Sequence, residues 1–258
     1  EATEKAGVLR PRAVIAVDLF GLPADYPALR DLCRQHGLKL VSDAAQGFGA
    51  TRDRLHAGHW ADAVCTSFFP AKPLGCYGDG GAVLTNDAAL ADALRSIRVH
   101  GQGSDKYDNV RIGLNARLDT IQAAILLEKL AVFPAEIVAR NQVAARYGQG
   151  LAGAVGTPAA PANVVPTWAQ YTILVEGQRR GDVARQLKEN GVPSGVYYPR
   201  PLHHQTAYRD FPVAPGGLAV SEELAATVLS LPMHPYLREC EQDRVVAAVR
   251  HALAVSAR

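Results

Sequence analysis

Lys72 sits between two prolines in the run Ser67-Phe68-Phe69-Pro70-Ala71-Lys72-Pro73-Leu74-Gly75. A proline fixes φ, lacks an N–H donor and biases the residue before it away from the α region, so this run excludes a regular helix. The lysine is therefore displayed on an irregular loop. An amine kept partly neutral by apolar surroundings is a nucleophile suited to Schiff-base chemistry with carbonyl compounds. Upstream, Leu38-Lys39-Leu40-Val41 reads as a short buried strand with Asp43 at its C-terminal end, followed by Ala44-Ala45-Gln46. Open α/β sheets bind ligands at that end of their strands. A carboxylate followed by small residues can approach a flat ring closely. Asp43 alone would suit a helix N-cap equally well, and Lys72 alone a surface turn. Together they form the pair that pyridoxal phosphate requires: a lysine for its carbonyl and an aspartate that keeps its ring nitrogen protonated.

The runs Ser42-Asp43-Ala44-Ala45-Gln46, Ser67 to Gly75 and Gly78-Asp79-Gly80-Gly81 resemble the DegT/DnrJ/EryC1/StrS sugar aminotransferases, and the resemblance extends over essentially the whole chain. It implies an α/β protein of fold type I, the aspartate aminotransferase-like fold of pyridoxal phosphate-dependent transferases. That fold has a three-layer α/β/α large domain and a small α/β C-terminal domain. The segment Pro70 to Gly80 is similar to the branch that aminates the 3-keto group of UDP-N-acetyl-3-oxo-glucosaminuronic acid, with glutamate as the donor.

The resemblance also assigns roles. Lys72 is the catalytic residue, and Asp43, Gln46, Ser67 and Lys72 bind the cofactor. Gln46 faces the phenolic oxygen and Ser67 the phosphate. Asn115, in Gly113-Leu114-Asn115-Ala116-Arg117, reaches the neighbouring chain's cofactor phosphate, which implies a homodimer with shared active sites. Arg117 suits a substrate carboxylate or phosphate through its planar fork, or equally an interface salt bridge. Tyr198, Arg200 and His203, in Tyr198-Pro199-Arg200-Pro201-Leu202-His203-His204-Gln205, suit a nucleotide sugar: rings to stack on and cations for a diphosphate. No metal is assigned there, because neighbouring side chains in an extended segment point apart. Other readings of the same scaffold are amination of a 4-keto sugar nucleotide, dehydration (opposed by the presence of Lys72), and a truncated paralogue that dimerises without cofactor. Family members carry a further segment before Glu1, with a phosphate loop and an aromatic residue that stacks on the cofactor, so the chain is read as N-terminally incomplete.

Composition narrows the class. The chain has 258 residues, a formal net charge of +2 and four cysteines without CxxC spacing. So small a charge gives no argument for a nucleic-acid partner, and the cysteines indicate neither a zinc ribbon nor a disulfide framework. No apolar run is long enough to span a bilayer, and no signal-peptide pattern opens the chain. A cytoplasmic enzyme is the expectation.

These residues need elements to hold them. Arg12 to Leu19 reads as a buried parallel strand, Tyr26 to His36 as a helix closed by Gly37, and Ala61 to Ser67 and Ala82 to Thr85 as strands. Asp87 to Ile97 reads as a helix with Asn86 or Asp87 as N-cap, and Arg98 to Leu118 as a long functional loop. Asp119 to Val132 reads as one helix, and Pro134 opens a second that runs to Leu151. The domains are taken as 1–133, a linking segment 134–166 and 167–258. The last contains strands Trp168 to Val175 and Val192 to Tyr198, and helices Arg179 to Asn190, Ser221 to Ser230 and Glu239 to Val255.

Overall fold

The computed structural model describes residues 10–176 and 179–256, so the expected helix from Glu1 to Gly7 lies outside the described residues. The chain divides into two compact units. Among the described residues, one holds Arg10 to Ile137 together with Pro161–Ala169; the other holds Val138–Ala160 and the chain from Gln170 onward. The segment 134–166, read from sequence as a link, is thus shared between the units.

The first unit is built on a four-stranded sheet. β1 (Ala13–Val17), β2 (Lys39–Asp43) and β4 (Ala63–Ser67) run parallel, and β5 (Gly81–Leu84) is antiparallel at the edge, in the order β1-β2-β4-β5. β3 (Thr51–Arg52) lies outside this sheet. Helix α1 (Tyr26–His36) connects β1 to the parallel strand β2, the strand–helix–strand crossover expected from the sequence. The strand pleat sorts side chains by face. Ala16, Leu40, Ser42, Val64 and Thr66 are buried, and the apolar members of this set pack with Tyr26 and Cys33 of α1 in one core. Leu32, next to Cys33 in α1, stands 42% exposed. Ile15 and Val17 project to the other face and are also exposed. β1 is therefore parallel as expected but not buried on both faces.

Helix α2 (Ala88–Ile97) is capped by Asp87, whose Oδ1 accepts from the N–H groups of Ala89 and Leu90, which decides between the two candidate caps. Helix α3 runs unbroken over Thr120–Leu151 with Pro134 inside it. This corrects the two-helix reading. A proline forfeits only its own backbone bond and carries a helical φ, so apolar packing on both sides can carry the helix through it. Phe133 and Ile137, flanking that point, are buried in a second cluster with Leu126, Leu74 and Cys76. β6 (Val164–Val165) pairs antiparallel with β3.

In the second unit β7 (Tyr171–Leu174) pairs antiparallel with β8 (Val228–Leu231). Helix α4 (Arg180–Glu189) follows β7, helix α5 (Ala219–Thr227) precedes β8, and helix α6 (Glu239–Val255) falls where the sequence places it. Two corrections apply. Val192 to Tyr198 is irregular, touching the sheet through a single bridge from Gly195 to Ser230. The strand lies instead at Val228–Leu231, within and just past the helix read over Ser221 to Ser230. All four of its residues are buried, and a fully buried short strand has no alternation to distinguish it from a helix end. Trp168, read as the start of β7, has φ of +48° and lies outside the strand.

Leu40 is fully buried in the core beneath α1. Leu40→Ala is expected to cost about 2–5 kcal/mol of stability, measured by urea unfolding. A loss well under about 1 kcal/mol would contradict the packing described.

Candidate active site

The register of the sheet places the candidate residues. Val17 is opposite Asp43, and Asp43 is opposite Cys65. Ser67 lies two residues further along β4, so Asp43, Cys65 and Ser67 project to the same, more open face. From strand spacing and rise, the Cα atoms of Asp43 and Ser67 are roughly 8 Å apart. Asp43 is the last residue of β2 and is partly exposed. One of its oxygens is held, since Oδ1 accepts from the Ala45 N–H at 3.0 Å. The hydroxyl of Ser67 accepts from the Phe69 N–H at 3.2 Å, and its own proton remains to be donated.

Lys72 stands on the loop between β4 and β5, partly exposed. The loop is closed at its base by the Ser67–Gly81 pair and by Phe68 N–H to Gly80 O at 2.8 Å. Further in, Lys72 N–H donates to Phe69 O, and Cys76 N–H to Phe68 O, both at 2.8 Å. Gly75 passes so close beneath this turn that a Cβ there would come within 2.7 Å of the carbonyls of Phe69 and Pro70. Its own carbonyl accepts from Lys129 Nζ of α3 at 2.6 Å. Gln122, also on α3, accepts the Tyr77 N–H at 2.8 Å. The lysine loop is thus fixed from below by the long helix.

Gln46 is buried. Its Oε1 accepts the Phe20 N–H at 2.5 Å, and its backbone carbonyl accepts the Thr167 hydroxyl at 2.5 Å. Phe20 is held at φ of +60°, in the left-handed region that a phenylalanine adopts only under such constraint. Oε1 is therefore the acceptor end of this amide, turned toward Phe20.

Asp18, immediately after β1, was not singled out from the sequence. It is 1% exposed. Its Oδ1 accepts from the Tyr26 hydroxyl at 2.7 Å and from the Ala24 N–H at 3.0 Å. Tyr26 has one proton to give, so its 2.6 Å contact with Ser42 is a bond donated by the serine. Asp18 N–H donates to Asp43 O at 3.0 Å, and Gly47 packs against the Asp18 side chain, where a Cβ would come within 2.4 Å of it. A network through Asp18, Tyr26 and Ser42 therefore supports the turn that carries Asp43 and Gln46. The only signal in the sequence was a carboxylate at a strand end, the same signal that marked Asp43. Burial pushes the Asp18 carboxyl up to about 6, against the hydrogen bonds from Tyr26 and Ala24, and the Asp43 charge adds to the rise.

Asn115 and Arg117 are exposed on the long loop after α2, with Arg117 Nε donating to Asn115 Oδ1 at 3.3 Å. Backbone bonds from Leu114 to Ile97 and from Ala116 to Arg98 tie this stretch to the end of α2. Tyr198, Arg200 and His203 belong to the second unit. Tyr198 and Arg200 are exposed, and His203 is engaged by Glu222. The expectation that His203 and His204 point apart is corrected. They sit in a 3-10 turn, Leu202–His204, rather than an extended strand, and their rings lie 4.3 Å apart.

A match to the DegT/DnrJ/EryC1/StrS aminotransferase family covers residues 1–250. The chain belongs to this family. It is 44% identical over 247 residues to the UDP-2-acetamido-2-deoxy-3-oxo-D-glucuronate aminotransferase of Pseudomonas aeruginosa, covering 95% of this chain and 67% of that protein. It is 40% identical to the dTDP-3-amino-3,4,6-trideoxy-alpha-D-glucose transaminase of Micromonospora megalomicea, over 98% of this chain and 69% of that one. A crystal structure of a DegT DnrJ EryC1 StrS aminotransferase from Brucella abortus superimposes with a TM-score of 0.93 at 53% identity, covering 97% of this chain and 66% of that one. The chain thus spans about two thirds of the length of these relatives. The fold is the aspartate aminotransferase-like α/β fold of the family.

The residues present fit pyridoxal phosphate. The Asp43 carboxylate and the Ser67 hydroxyl stand at the C-terminal ends of β2 and β4 on the more open sheet face, the Gln46 amide follows Ala44 and Ala45 in the turn after β2, and the Lys72 amine is carried by the loop after β4. This donor set matches a ring nitrogen, a phenolic oxygen, a phosphate and a carbonyl carbon.

For Asp18 the neutral form is favoured by the fold. Its contribution to stability is therefore complete below the unfolded carboxylate range and is lost as pH rises through about 6. A shift of about two pKa units corresponds to roughly 3 kcal/mol. Relative to Asp18→Asn, the wild type is expected to lose most of that amount, roughly 2 kcal/mol, between about pH 4 and about pH 7.5, measured by urea unfolding at both. A difference that does not change with pH would contradict the buried setting of this carboxyl.

Proposed function

We propose that the protein transfers an amino group from glutamate to the 3-keto group of a nucleotide sugar, a UDP-N-acetyl-3-oxo-glucosaminuronic acid in the first instance, within cell-surface polysaccharide or amino-sugar biosynthesis. The observation that carries this reading is the placement of Asp43, Ser67 and Lys72 at one end of parallel β2 and β4, in a chain of the aminotransferase family. The keto position rests on the relatives. One is named for a 3-oxo substrate and the other for a 3-amino product, although their nucleotides differ.

Pyridoxal phosphate, when bound, supplies a carbonyl carbon that takes up and returns the amino group, and a ring that spreads the negative charge left by a departing proton. Asp43 would hold the proton of the ring nitrogen with the oxygen not committed to Ala45. Ser67 would donate to the phosphate, and Gln46 Nε2 to the phenolic oxygen. Lys72 Nζ would hold the cofactor between turnovers. Released, it would accept a proton from the donor's α-carbon and return one to the other side, as general base and then acid. Glutamate leaves as a keto acid before the sugar is aminated, so the cycle is ping-pong.

The uronic carboxylate needs a cation, and Arg117 and Arg200 are exposed guanidinium groups on the two candidate loops. Tyr198 offers an exposed ring for stacking. The working form is a homodimer in the cytoplasm, with Asn115 completing the partner's phosphate site. Ile112 and Leu114 stand 97% and 64% exposed beside Asn115, and Ile121 and Leu127 are exposed along α3; apolar surface of this kind supports a subunit interface.

The test is amino transfer from glutamate to the 3-keto uronic acid nucleotide, followed by mass spectrometry of the amino sugar. Lys72→Ala is expected to lower the rate by about 10²–10⁴-fold. Transfer to a 4-keto but not a 3-keto sugar would overturn the assigned position. Undiminished transfer by Lys72→Ala would overturn the mechanism.

A further inference from the structure

His203, His204 and Glu222, none of them assigned above to the cofactor, converge in the second unit. His203 Nε2 lies 3.0 Å from Glu222 Oε1, and His204 Nε2 lies 3.4 Å from the same oxygen. One ligand atom from each of the three residues falls within 4.8 Å of the others. The arrangement has local causes. The 3-10 turn Leu202–His204 brings consecutive imidazoles to one side of the chain, and Glu222 reaches them from the first turn of α5.

We infer that His203, His204 and Glu222 form a binding site for a divalent transition metal, zinc being the best match, that ties the turn Leu202–His204 to helix α5. Two imidazoles and one carboxylate are a common set of protein ligands for zinc when one position is left to water. Magnesium and calcium, which prefer oxygen ligands, are disfavoured by the histidines. Spacing agrees as well. Tetrahedral zinc with bonds of roughly 2.0–2.1 Å sets its ligand atoms about 3.3 Å apart. Two of the three separations, 3.0 and 3.4 Å to Glu222 Oε1, lie close to that value on either side, and all three are within 4.8 Å.

The exposures suit a metal that enters from solvent. The His203 side chain is 14% exposed and forms the floor of the site, while His204 and Glu222 are about half exposed at its rim. With neutral histidines the ligand set carries one negative charge and would leave a net positive charge on bound zinc. The site would also fix the base of the loop that carries Tyr198 and Arg200.

The proposal does not depend on the aminotransferase reading and is tested without it. The full chain, with no affinity tag and stripped of metal by chelator and dialysis, is titrated calorimetrically with zinc chloride. Cobalt(II) serves as a second probe through its visible absorption. One equivalent of zinc is expected to bind, and cobalt should give the intense bands of a four-coordinate site. His204→Gln and Glu222→Gln should each weaken zinc binding by at least about tenfold, whereas His251→Gln, at an exposed position of α6, should leave it unchanged. Circular dichroism of the metal-free variants checks that they fold, and if one does not, the other carries the test. Absence of binding by the wild type would show that the cluster is only a carboxylate bridging two histidines. Binding that survives both substitutions, or that falls equally in His251→Gln, would place the metal elsewhere. Any of these results overturns the assignment.

Discussion

The site depends on the parallel pairing of β1, β2 and β4. Because side chains alternate along a strand, a register of Val17 to Asp43 to Cys65 sends the residues before and after each of these to one face and these three to the other. One face receives Leu40, Val64 and α1 and becomes core. The other receives Asp43 and Ser67 and stays open. A slip of a single residue would bury the carboxylate and expose Leu40. The hydrophobic core thus holds the catalytic register in place, and no residue of the site need contribute to stability for the site to be well placed.

Support beneath the site is polar. Asp18 is almost wholly buried next to the strand that bears Asp43, and Gly47 lies directly on it. A buried carboxylate costs stability unless it is hydrogen-bonded, and Tyr26 and Ala24 supply those bonds. The same turn holds Phe20 at a left-handed φ through Gln46. Strain and a buried acid accumulate in the few residues around Asp43 and Gln46, which is where a ligand-binding turn is expected to carry them. The lysine loop is held differently, by backbone bonds across its base and by Lys129 and Gln122 from α3.

Much of this was legible in the sequence. Prolines around Lys72 exclude a helix, and the loop is irregular. Tyr26 to His36 and Glu239 to Val255 have patterns strong enough to set their element and lie where they were read, and the strand read over Ala61 to Ser67 forms over Ala63–Ser67. What could not be read turns on tertiary context. Pro134 is tolerated because its neighbours Phe133 and Ile137 are buried, and nothing local announces that. Val228–Leu231 is a strand rather than the end of α5 because it pairs with Tyr171–Leu174, more than fifty residues away in sequence. His203 and His204 converge because a 3-10 turn replaces the extended backbone assumed for them. Asp18 carried the same strand-end signature as Asp43, but its role depends on Tyr26 and Ser42, which only the fold brings together.

The central claim is that Lys72 is the residue that holds pyridoxal phosphate. The direct test is to load the protein with the cofactor, reduce it with borohydride and map the modified peptide. A pyridoxyl group on Lys72, lost in Lys72→Ala and weakened in Asp43→Ala, is the predicted result. A folded protein labelled at other lysines, or not labelled at all, would contradict the account.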